Sequence, residues 1–387
     1  MVNPGKQPPA RKVLVLASSL ETIGGIQRYV KTLNRALREI LGDEEVLVLI
    51  WGAQPQASNP ENGKATREIG AEAKLRFAMR TVRETLSWRP DLVVATHVGF
   101  APLAWILQGL VGCRYWSFAY GTDVWAPLSV AKRGALARGA RVICISEFTR
   151  RRLAELHRIP QERIRLLPCV AEELTPKGAD VAPPWERARN ERVVLTVGRL
   201  VSAERYKGHE VLLQAMVRVR QKVPDVLCLV VGEGDDRARL EEQAQQLNLG
   251  NAVRFLGELS DGRLAACYDH CDVFAMPART ELNNAAPKGE GFGIVYLEAM
   301  MHGKPVIGPN YGAPTEFIRH GEHGLLVNPE DPEAVAAALV ELLESPQRAR
   351  RMGEAAREWV RREYSYARFV ERLDALLRDG DAGHPAR

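Results

Sequence analysis

Short apolar runs of Val, Ile and Leu alternate along this chain with longer stretches in which apolar residues recur at helical spacing. A continuous apolar run predicts a strand that is buried on both faces, which is typical of parallel sheets covered by helices. The first repeat of this pattern is a run at residues 12–17, a loop ending in Gly24 and Gly25, and a helix with an apolar face of Ile26, Val30, Leu33, Leu37 and Ile40. The alternation therefore predicts the α/β fold class.

The apolar runs form two series, which predicts two doubly wound lobes in a chain of 387 residues. The predicted strands of the first series are residues 12–17, 46–51, 92–96, 115–118, 142–145 and 164–167. Those of the second series are residues 193–197, 226–231, 253–256, 273–276, 305–307 and 324–327. Because ligands bind at the carboxyl ends of parallel strands, we expect function in the strand-to-helix loops, around a cleft between the lobes.

The domain boundaries follow from where the pattern stops. Prolines and glycine accumulate between residues 171 and 192, which is typical of a linker. We therefore expect a flexible N-terminus at residues 1–10, Rossmann-like domains at 11–175 and 192–360, and a linker at 176–191. Residues 361–387 are expected to form a C-terminal helix that packs back on the N-terminal domain.

Composition excludes several classes of protein. The chain is 46% hydrophobic and 26% charged, which is typical of a soluble globular protein and excludes disordered and collagen-like chains. Residues 1–10 lack the apolar core of a secretory signal. The apolar stretch at 101–113 includes Gln108 and is shorter than the roughly 20 residues of a spanning helix. We therefore expect a cytoplasmic protein without a transmembrane segment.

The six cysteines are scattered, and several lie in or beside apolar runs, where a reduced cysteine packs as a small hydrophobe. This distribution argues against a disulfide framework. Cys267, His270 and Cys271 suggest a metal clip, but no second pair of ligands with zinc-like spacing occurs elsewhere. We therefore expect no metal site.

Two cations stand at one strand-to-helix connection in the second series. Arg199 follows the run at 193–197, and Lys207 precedes Gly208 at the start of an apolar-faced helix. A guanidinium can bind two phosphate oxygens at once and an ammonium acts as a point charge, so the pair predicts an anionic ligand. The alternative is a solvated surface pair, because most such charges are simply exposed.

A polar loop at residues 277–288 leads into Glu290, the glycines on either side of Phe292, and a helix that carries Glu298. Glycines let the backbone approach a ligand closely, and the N–H groups that open a helix bind anions. Glu298 lies one turn into the helix and can accept hydrogen bonds from a ribose diol, so the segment predicts a nucleotide site. The alternative is that Glu290 complements the helix dipole and that Glu298 is a surface residue.

The order of the glycine and charged-residue motifs along the chain resembles that of the retaining glycosyltransferases of family 4. The resemblance covers about residues 11–375 and rests on Gly24-Gly25, Gly198-Arg199, Lys207-Gly208, Gly232-Glu233-Gly234, Glu290-x7-Glu298 and Gly303-Lys304-Pro305-Val306. It implies the GT-B fold and transfer of a hexose, without metal or cofactor, from a nucleotide diphosphate sugar to a glycan, glycolipid or small-molecule acceptor. The anomeric configuration would be retained, with the N-terminal domain on the acceptor side.

The resemblance also implies a role for each matching residue. Arg199 and Lys207 would hold the donor diphosphate and stabilise the departing nucleotide. Glu298 would bind the ribose, and Glu290 would lie beside the donor sugar. Further donor contacts are expected from the tight turn at Gly25 and from the backbone amides of Gly291, Phe292, Gly293 and Ile294. No side chain is identified as a nucleophile.

One loop of the first half departs from the family pattern. Many relatives place a histidine before Gly-x-Asp, whereas this chain has Tyr120 before Gly121 and Asp123. A tyrosine does not titrate near neutral pH, which puts a proton relay at this position in doubt. Asp123 is a catalytic candidate that would orient the donor sugar or the acceptor. Gly24, His97 and Tyr120 are further cleft candidates, although a lone histidine is more often structural.

The basic excess lies in the first half. Residues 1–180 contain 26 Lys and Arg against 17 Asp and Glu, a net charge of +9, and the remainder contains 27 against 31, a net charge of −4. The basic residues include Lys132, Arg133, Arg138, Arg141, Arg150, Arg151, Arg152, Arg158, Arg163 and Arg165. They are either solvated helix faces or a surface that docks on anionic lipid, at the inner membrane face, or on a pyrophosphate-linked glycan. Nucleic acid is not expected, because no stacking aromatics interleave with these charges.

The segment from residue 277 to Glu298 is similar to that of mannosyl-transferring members, which favours GDP-mannose over UDP-glucose as donor. Two alternatives remain open: a nucleotide-sugar epimerase of the same architecture and a non-catalytic nucleotide-sugar-binding protein. A dehydrogenase is disfavoured because no Gly-x-Gly-x-x-Gly follows the first strand.

Overall fold

The computed structural model describes residues 10–18, 24–51, 66–69, 74–171, 174, 182–283 and 286–379. The chain divides into two compact units, of which the first comprises Met1–Val170 with Tyr366–Arg387 and the second comprises Ala171–Ser365. The boundaries between the units lie after Val170 and after Ser365, whereas the sequence predicted domain boundaries after residues 175 and 360. Residues 176–181 of the predicted linker lie outside the described residues.

The first unit is a parallel sheet covered by helices. Its strands are β1 (Val13–Ser18), β2 (Val46–Trp51), β3 (Thr66–Ile69), β4 (Leu92–Ala95), β5 (Arg114–Ala119), β6 (Arg141–Cys144) and β7 (Ile164–Leu166). Its first five helices are α1 (Gly25–Leu41), α2 (Lys74–Trp88), α3 (Ala101–Val111), α4 (Val130–Arg138) and α5 (Glu147–His157). The strand order is β3-β2-β1-β4-β5-β6-β7, and every neighbouring pair is parallel.

The second unit repeats this architecture. Its strands are β8 (Arg192–Val197), β9 (Val226–Val231), β10 (Val253–Gly257), β11 (Val273–Ala275), β12 (Val306–Pro309) and β13 (Gly324–Val327). Its helices are α6 (His209–Lys222), α7 (Arg237–Gln246), α8 (Asp261–His270), α9 (Ile294–Met301), α10 (Pro332–Leu343) and α11 (Pro346–Glu363). All strands pair in parallel, in the order β10-β9-β8-β11-β12-β13. The predicted α/β class is confirmed.

The last helix, α12 (Tyr366–Arg378), belongs to the first unit. The ring of Phe369 packs edge-on against Tyr29 of α1, with 5.7 Å between centroids. Arg141, at the start of β6, is buried and donates to the backbone carbonyl of Leu376 at 2.8 Å. Its guanidinium also lies 3.3 Å from the carboxylate of Asp379. Arg141 therefore holds the end of α12 and is not part of a surface.

Continuous burial of the central strands places the functional groups at the strand ends. Residues from Val193 to Leu195 and from Leu227 to Leu229 are almost inaccessible, and the helices α6 and α10 supply much of the remaining core. Side chains buried this deeply leave only the loops after the carboxyl ends to meet a ligand. None of the described helices is both long and apolar enough to span a bilayer.

Candidate active site

The loop after β8 holds both predicted cations. Arg199 follows the strand directly, and Lys207 ends a short 3-10 helix, Ser202–Lys207, that leads into α6. Gly208 joins the two helices with a left-handed φ of 80°, and a Cβ there would lie 2.0 Å from the carbonyl oxygen of Pro277. Glycine is therefore required at this junction, because it alone lets the loop after β11 pass so close.

The two cations share one carboxylate. Glu204 pairs with Arg199, and its other oxygen lies 3.6 Å from the ammonium of Lys207. Lys207 also donates to Glu290 Oε1 at 3.0 Å. The side chains of Lys207, Glu204 and Glu290 are only 13–14% exposed, whereas that of Arg199 is 64% exposed. The structure thus brings Arg199, Lys207 and Glu290 into one network, with Glu204 at its centre.

Sequence reasoning missed Glu204, which lay in a loop treated only as polar. Its spacing to Lys207 was the available signal, because oppositely charged residues three apart face each other on a helical turn. Burial alone would lower the pKa of Lys207, but the carboxylates of Glu290 and Glu204 reverse this effect and raise it. The ammonium therefore remains charged at neutral pH.

The segment before α9 supplies backbone as well as a carboxylate. Gly293 has a left-handed φ of 96° and stands immediately before Ile294, the first residue of the helix. A Cβ at Gly293 would lie 2.7 Å from the ring of Tyr296, so glycine is needed here too. The ring of Phe292 is buried against Phe317, with 5.1 Å between centroids, which leaves only its backbone for a ligand.

Glu298 is an internal residue of the second unit. It is 2% exposed, and its Oε2 accepts a hydrogen bond of 2.9 Å from the hydroxyl of Tyr268. The alternative in which Glu298 is a surface residue is therefore wrong. Burial of a carboxylate is costly unless a hydrogen-bond donor holds it. The sequence indicated Glu298 only through its spacing from Glu290.

His209, the first residue of α6, is buried next to this network. Burial, and secondarily the charge of Lys207, lower its pKa from 6.5 to about 3. Its Nε2 has no hydrogen-bond partner among the described residues. The imidazole is therefore neutral at physiological pH.

The glycines of the first unit lie at the start of α1. Gly25 is the first helical residue, and Gly24 precedes it with an extended backbone, φ −179°, that any residue can adopt. A Cβ at Gly24 would meet only the flexible end of Gln27. Residues 19–23, which precede them, lie outside the described residues, so the tight turn expected near Gly25 stays a prediction.

The other first-unit candidates hold backbone turns. The Nδ1 atom of His97 accepts from the amide of Gly99 at 3.0 Å, at the start of a short 3-10 helix. Asp123 Oδ1 accepts from the amides of Tyr120 and Gly121 at 3.0 and 2.7 Å. Burial raises the pKa of Asp123, an effect that the nearby His97 partly opposes. These contacts describe turn-forming residues, with Asp123 Oδ2 lacking a partner within the described part of the chain.

Tyr120 is part of an aromatic cluster. Its ring is 6% exposed and packs edge-on against Tyr29 at 5.6 Å and beside Phe118 at 6.4 Å. Burial also raises its pKa well above the ordinary value. Tyr120 is therefore anchored by packing, and it stays neutral.

The basic residues of the first unit are only partly available to a ligand. Besides Arg141, which is internal, Arg163 donates to the carbonyl of Ala137, and Arg150 pairs with Glu147 at 2.7 Å. Several side chains of the predicted basic surface are therefore bonded within the unit. No group of three or more metal-ligating side chains occurs among the described residues, and Cys267 and Cys271 are buried thiols.

The second-unit site suits an anionic ligand that also carries hydroxyl groups. A diphosphate can bind the guanidinium of Arg199, the ammonium of Lys207 and the backbone amides at the start of α9. The carboxylates of Glu290 and Glu298 can accept hydrogen bonds from diols. In the described loops of the first unit, Asp123 is a partly buried carboxylate whose Oδ1 is held by backbone amides.

The chain matches two sequence families and a set of similar proteins. Residues 181–359 match the family described as "Glycosyl transferases group 1", and residues 23–172 match "Glycosyltransferase Family 4". The chain is 34% identical over 378 residues to a GDP-mannose-dependent alpha-(1-6)-phosphatidylinositol monomannoside mannosyltransferase of Mycobacterium tuberculosis, covering 93% of this chain and 96% of that one. It is 30% identical over 354 residues to a phosphatidyl-myo-inositol mannosyltransferase of Mycolicibacterium smegmatis, covering 86% and 85%.

Solved structures show the same fold at lower identity. HepE of Anabaena, in complex with UDP and glucose, superposes with a TM-score of 0.75 at 19% identity and covers 95% of this chain and 99% of its own. Sucrose-phosphate synthase of Thermosynechococcus elongatus has a TM-score of 0.74 at 24% identity and covers 95% and 98%. Both support the fold and neither identifies a substrate.

Proposed function

Since the chain belongs to glycosyltransferase family 4 and is a hexosyltransferase of the GT-B fold, we propose that it transfers mannose from GDP-mannose to a glycolipid acceptor. The observation that carries this proposal is the network of Arg199, Glu204, Lys207 and Glu290, together with the buried carboxylate of Glu298 on α9. GDP-mannose and a phosphatidylinositol acceptor are named for the relatives that cover most of the chain.

The donor diphosphate binds Arg199 and Lys207. Both cations are compensated within the protein, because Glu204 pairs with each of them. A diphosphate with two forked contacts competes with that carboxylate for Arg199, whose side chain is mostly exposed. Lys207 keeps its charge because Glu290 remains beside it. The pair then stabilises negative charge that develops on the leaving phosphate.

The remaining donor contacts come from the segment before α9 and from the helix itself. Glu298 accepts from the ribose hydroxyls, oriented by the hydroxyl of Tyr268. The backbone amides from Gly291 to Ile294 bind the sugar or the phosphate, and Glu290 accepts from a sugar hydroxyl. The left-handed φ of Gly293 supports this role, because it turns the backbone immediately before α9, where the first amides of a helix can bind an anion.

Transfer exchanges one bond at the anomeric carbon for another. The bond to the phosphate oxygen breaks, a bond to the acceptor oxygen forms, and the acceptor proton passes to the departing phosphate. We propose retention of configuration with no protein nucleophile, since the resemblance to family 4 implies both. The second unit holds the donor, the first unit contributes Asp123 on the acceptor side, and no cofactor takes part.

Metal independence is part of the proposal. Arg199 and Lys207 supply the positive charge that a divalent cation would otherwise supply to a leaving diphosphate. We expect full activity after exhaustive treatment with EDTA. Restoration of a lost activity by Mg²⁺ or Mn²⁺ would contradict this part and leave the donor assignment intact.

A thermal-shift panel tests the donor. A nucleotide that binds only the folded protein raises its melting temperature, so we expect shifts with GDP and GDP-mannose that exceed those with UDP and UDP-glucose. A larger shift with UDP-glucose would redirect the proposal to glucosyl transfer. Incubation of GDP-mannose with phosphatidylinositol-containing vesicles, read by NMR, then shows whether the product linkage retains the anomeric configuration. Interconversion of the sugar without acceptor would indicate an epimerase instead.

Peripheral association with a membrane completes the proposal. A lipid-linked acceptor lies at a bilayer surface, and none of the described helices is long and apolar enough to cross one. The net charge of +9 over residues 1–180 supports contact with anionic lipid through the first unit.

A further inference from the structure

The 3-10 helix Ser202–Lys207 is not stabilised by its own backbone alone. It carries Glu204 and Lys207 of the candidate site, yet the backbone of Glu204 is non-helical, with φ −115° and ψ 24°. Helices of one or two turns are unstable in water when nothing else supports them. The position of the Lys207 ammonium therefore depends on the contacts that hold this helix from outside.

Two adjacent aspartates in the loop after β9 make such contacts. Asp235 accepts hydrogen bonds from the amide of Ser202 at 2.9 Å and from its hydroxyl at 2.6 Å. The Oδ1 atom of Asp236 accepts from Nε of Arg205 at 2.9 Å and from one of its terminal nitrogens at 2.6 Å. The first aspartate holds the start of the 3-10 helix, and the second holds it two residues before Lys207.

Asp236 is an internal residue, with a side chain that is 5% exposed. Arg239 of α7 also binds it, with 2.8 Å from Nε to Oδ1 and 2.6 Å from a terminal nitrogen to Oδ2. The hydrogen bond from Arg239, together with that from Arg205, lowers the pKa of Asp236 to about 2 against the opposing effect of burial. Its own amide donates to the carbonyl of Leu200 at 2.8 Å. Asp236 is therefore a fixed and charged anchor for Arg205.

The loop after β11 contacts the same 3-10 helix through Arg279. Its amide donates to the carbonyl of Tyr206 at 2.6 Å, and its guanidinium donates to the carbonyl of Arg205 at 3.3 Å. Glu210 at the start of α6 accepts from that guanidinium at 3.0 Å. Two neighbouring loops thus hold the part of the chain that ends at Lys207.

We propose that Asp236 is a positioning residue, which sets the place of the Lys207 ammonium through its hold on Arg205. The inference deepens the proposed function, because Lys207 is there a ligand of the donor diphosphate. Two other roles predict different results: the ion pairs of Asp236 only stabilise the second unit, or the guanidinium of Arg205 attracts the diphosphate directly by its charge.

Arg205→Gln and Arg239→Gln form a matched pair of variants. Each removes one of the two arginines of the same carboxylate, the two side chains are 47% and 35% exposed, and Asp236 keeps one guanidinium in either case. Arg205 stands on the 3-10 helix, whereas the printed sequence places Arg239 on α7, where its ion pairs among the described residues are with Asp236 and, at 3.5 Å, with Glu210.

Isothermal titration calorimetry with GDP compares the pair. Arg205→Gln should weaken binding by about fivefold, and Arg239→Gln by less than about twofold. Equal weakening in the two variants would overturn the proposal, because it would indicate a general loss of positive charge or of stability. Thermal melts should give similar melting temperatures for both, since the buried carboxylate stays paired.

Asp236→Asn distinguishes positioning from net charge by the sign of its effect. If charge alone mattered, removal of a negative charge from the loops that carry an anion site would tighten the binding of GDP. Positioning predicts the opposite, a weakening of about fivefold or more, because a neutral carboxamide holds Arg205 less firmly. Tighter binding in Asp236→Asn would overturn the proposal. If this variant proves too unstable to measure, the matched pair still decides.

A double-mutant cycle with Lys207→Ala identifies the group through which Asp236 acts. If Arg205→Gln acts by displacing the Lys207 ammonium, it should have no further effect on GDP affinity once that ammonium is removed. The full loss in the Lys207→Ala background would overturn the proposal. In the presence of Lys207, Arg205→Gln should lower kcat by about tenfold and leave the KM of the acceptor unchanged, because the leaving phosphate is the group affected.

Pyrophosphate, as a second probe, separates failure of this inference from failure of the proposed function. A wild-type protein that binds pyrophosphate but neither GDP nor GDP-mannose would refute the proposed donor, and the same variants titrated with pyrophosphate would still test Asp236. Binding of GDP-mannose that neither Arg205→Gln nor Asp236→Asn weakens would refute positioning by Asp236 and leave the proposed donor intact.

Discussion

The two units share one architecture but use their strand-end loops differently. In the second unit, the loop after β8 places Arg199, Glu204 and Lys207 in a chain of ion pairs that continues to Glu290. In the first unit, the corresponding polar groups bind backbone amides, as His97 does with Gly99. The second unit therefore carries charges that can exchange partners, whereas the polar groups of the first unit hold its loops in shape.

This difference bears on how each unit meets a substrate. An ion pair can exchange one anionic partner for another without leaving a charge uncompensated, provided that the new anion fits. Hydrogen bonds to backbone amides have no such substitute, because a donor left without an acceptor costs about 1–3 kcal/mol. We therefore expect a preformed anion site in the second unit and strand-end loops of fixed conformation in the first unit.

The largest expected effect is that of Lys207→Ala. Turnover should fall about a hundredfold or more, because the leaving phosphate loses a sheltered cation. The melting temperature should fall as well, because Glu204 and Glu290 are left close together without their shared ammonium. Steady-state kinetics and a thermal melt measure the two effects.

The matched control is Lys222→Ala at the exposed end of α6, which should change neither turnover nor melting. Glu290→Ala should also reduce turnover strongly, with a smaller change in stability because Lys207 still has Glu204. Wild-type turnover in Lys207→Ala would mean that the ion-pair network of the second unit takes no part in transfer. The proposed difference between the two units would then be wrong.

The strands were predictable because continuous apolar runs have few alternatives in a chain of this length. The missed strand, β3, has the sequence Thr66-Arg67-Glu68-Ile69 and stands at the edge of its sheet, where polar residues are tolerated. Apolar pattern alone could not identify it. Its existence depends on pairing with β2, which is a tertiary property.

The candidate site was predictable to the extent that glycines and charges stand at strand ends. Motif spacing selected Arg199, Lys207, Glu290 and Glu298, and the structure brings the first three into one network. It could not reveal that Arg141 is buried under α12, because a partner 235 residues away in sequence leaves no local signature. The same limit applies to the hydroxyl of Tyr268 on Glu298.

The second effect in size concerns His209 and acid stability. The folded protein keeps this imidazole neutral to about pH 3, whereas the unfolded chain takes up a proton below about 6.5. The unfolded state therefore binds more protons between those values, so stability falls as the pH falls, by up to about 1.4 kcal/mol per pH unit. His209→Gln should flatten the unfolding free energy against pH between about 6.5 and 4.5. His157 and His323, whose pKa values burial also lowers, contribute equally to both proteins.

His270→Gln, at the exposed end of α8, is the control for replacing a histidine by glutamine in the same unit. An unchanged slope in His209→Gln would show that the second unit does not shelter this imidazole. A flatter dependence in His209→Gln would sharpen the contrast between the units. His157 of the first unit has a backbone partner, the carbonyl of Val124 at 2.8 Å, whereas His209 Nε2 has none among the described residues.

Asp123 tests the first unit at a smaller scale. Asp123→Ala removes the acceptor of two amides and should lower the free energy of unfolding by about 1–3 kcal/mol. Asp123→Asn keeps an oxygen in that place and loses a charge that burial disfavours, so its stability should match the wild type. Urea denaturation measures both.

Turnover then separates the two roles of Asp123. If its carboxylate also orients a substrate, Asp123→Asn should fold normally and turn over more slowly. Normal turnover in Asp123→Asn together with a destabilised Asp123→Ala would restrict Asp123 to shaping its turn. That outcome would make the contrast between the units complete, with all tested chemistry in the second unit.

The smallest effect is expected from Glu204→Gln, and it probes the exchange of partners directly. Because Glu204 pairs with both cations, a diphosphate that binds them has to displace it. Removal of its charge should therefore tighten the binding of GDP by about three- to tenfold, roughly the value of one exposed or half-sheltered ion pair. Isothermal titration calorimetry measures the change. Glu333→Gln is the matched control, because it breaks a 2.8 Å pair with Arg218 in the same unit and should leave GDP affinity unchanged. Weaker binding in Glu204→Gln would mean that the carboxylate positions the cations and does not compete for them, and the second unit would then resemble the first in using its polar groups to hold structure.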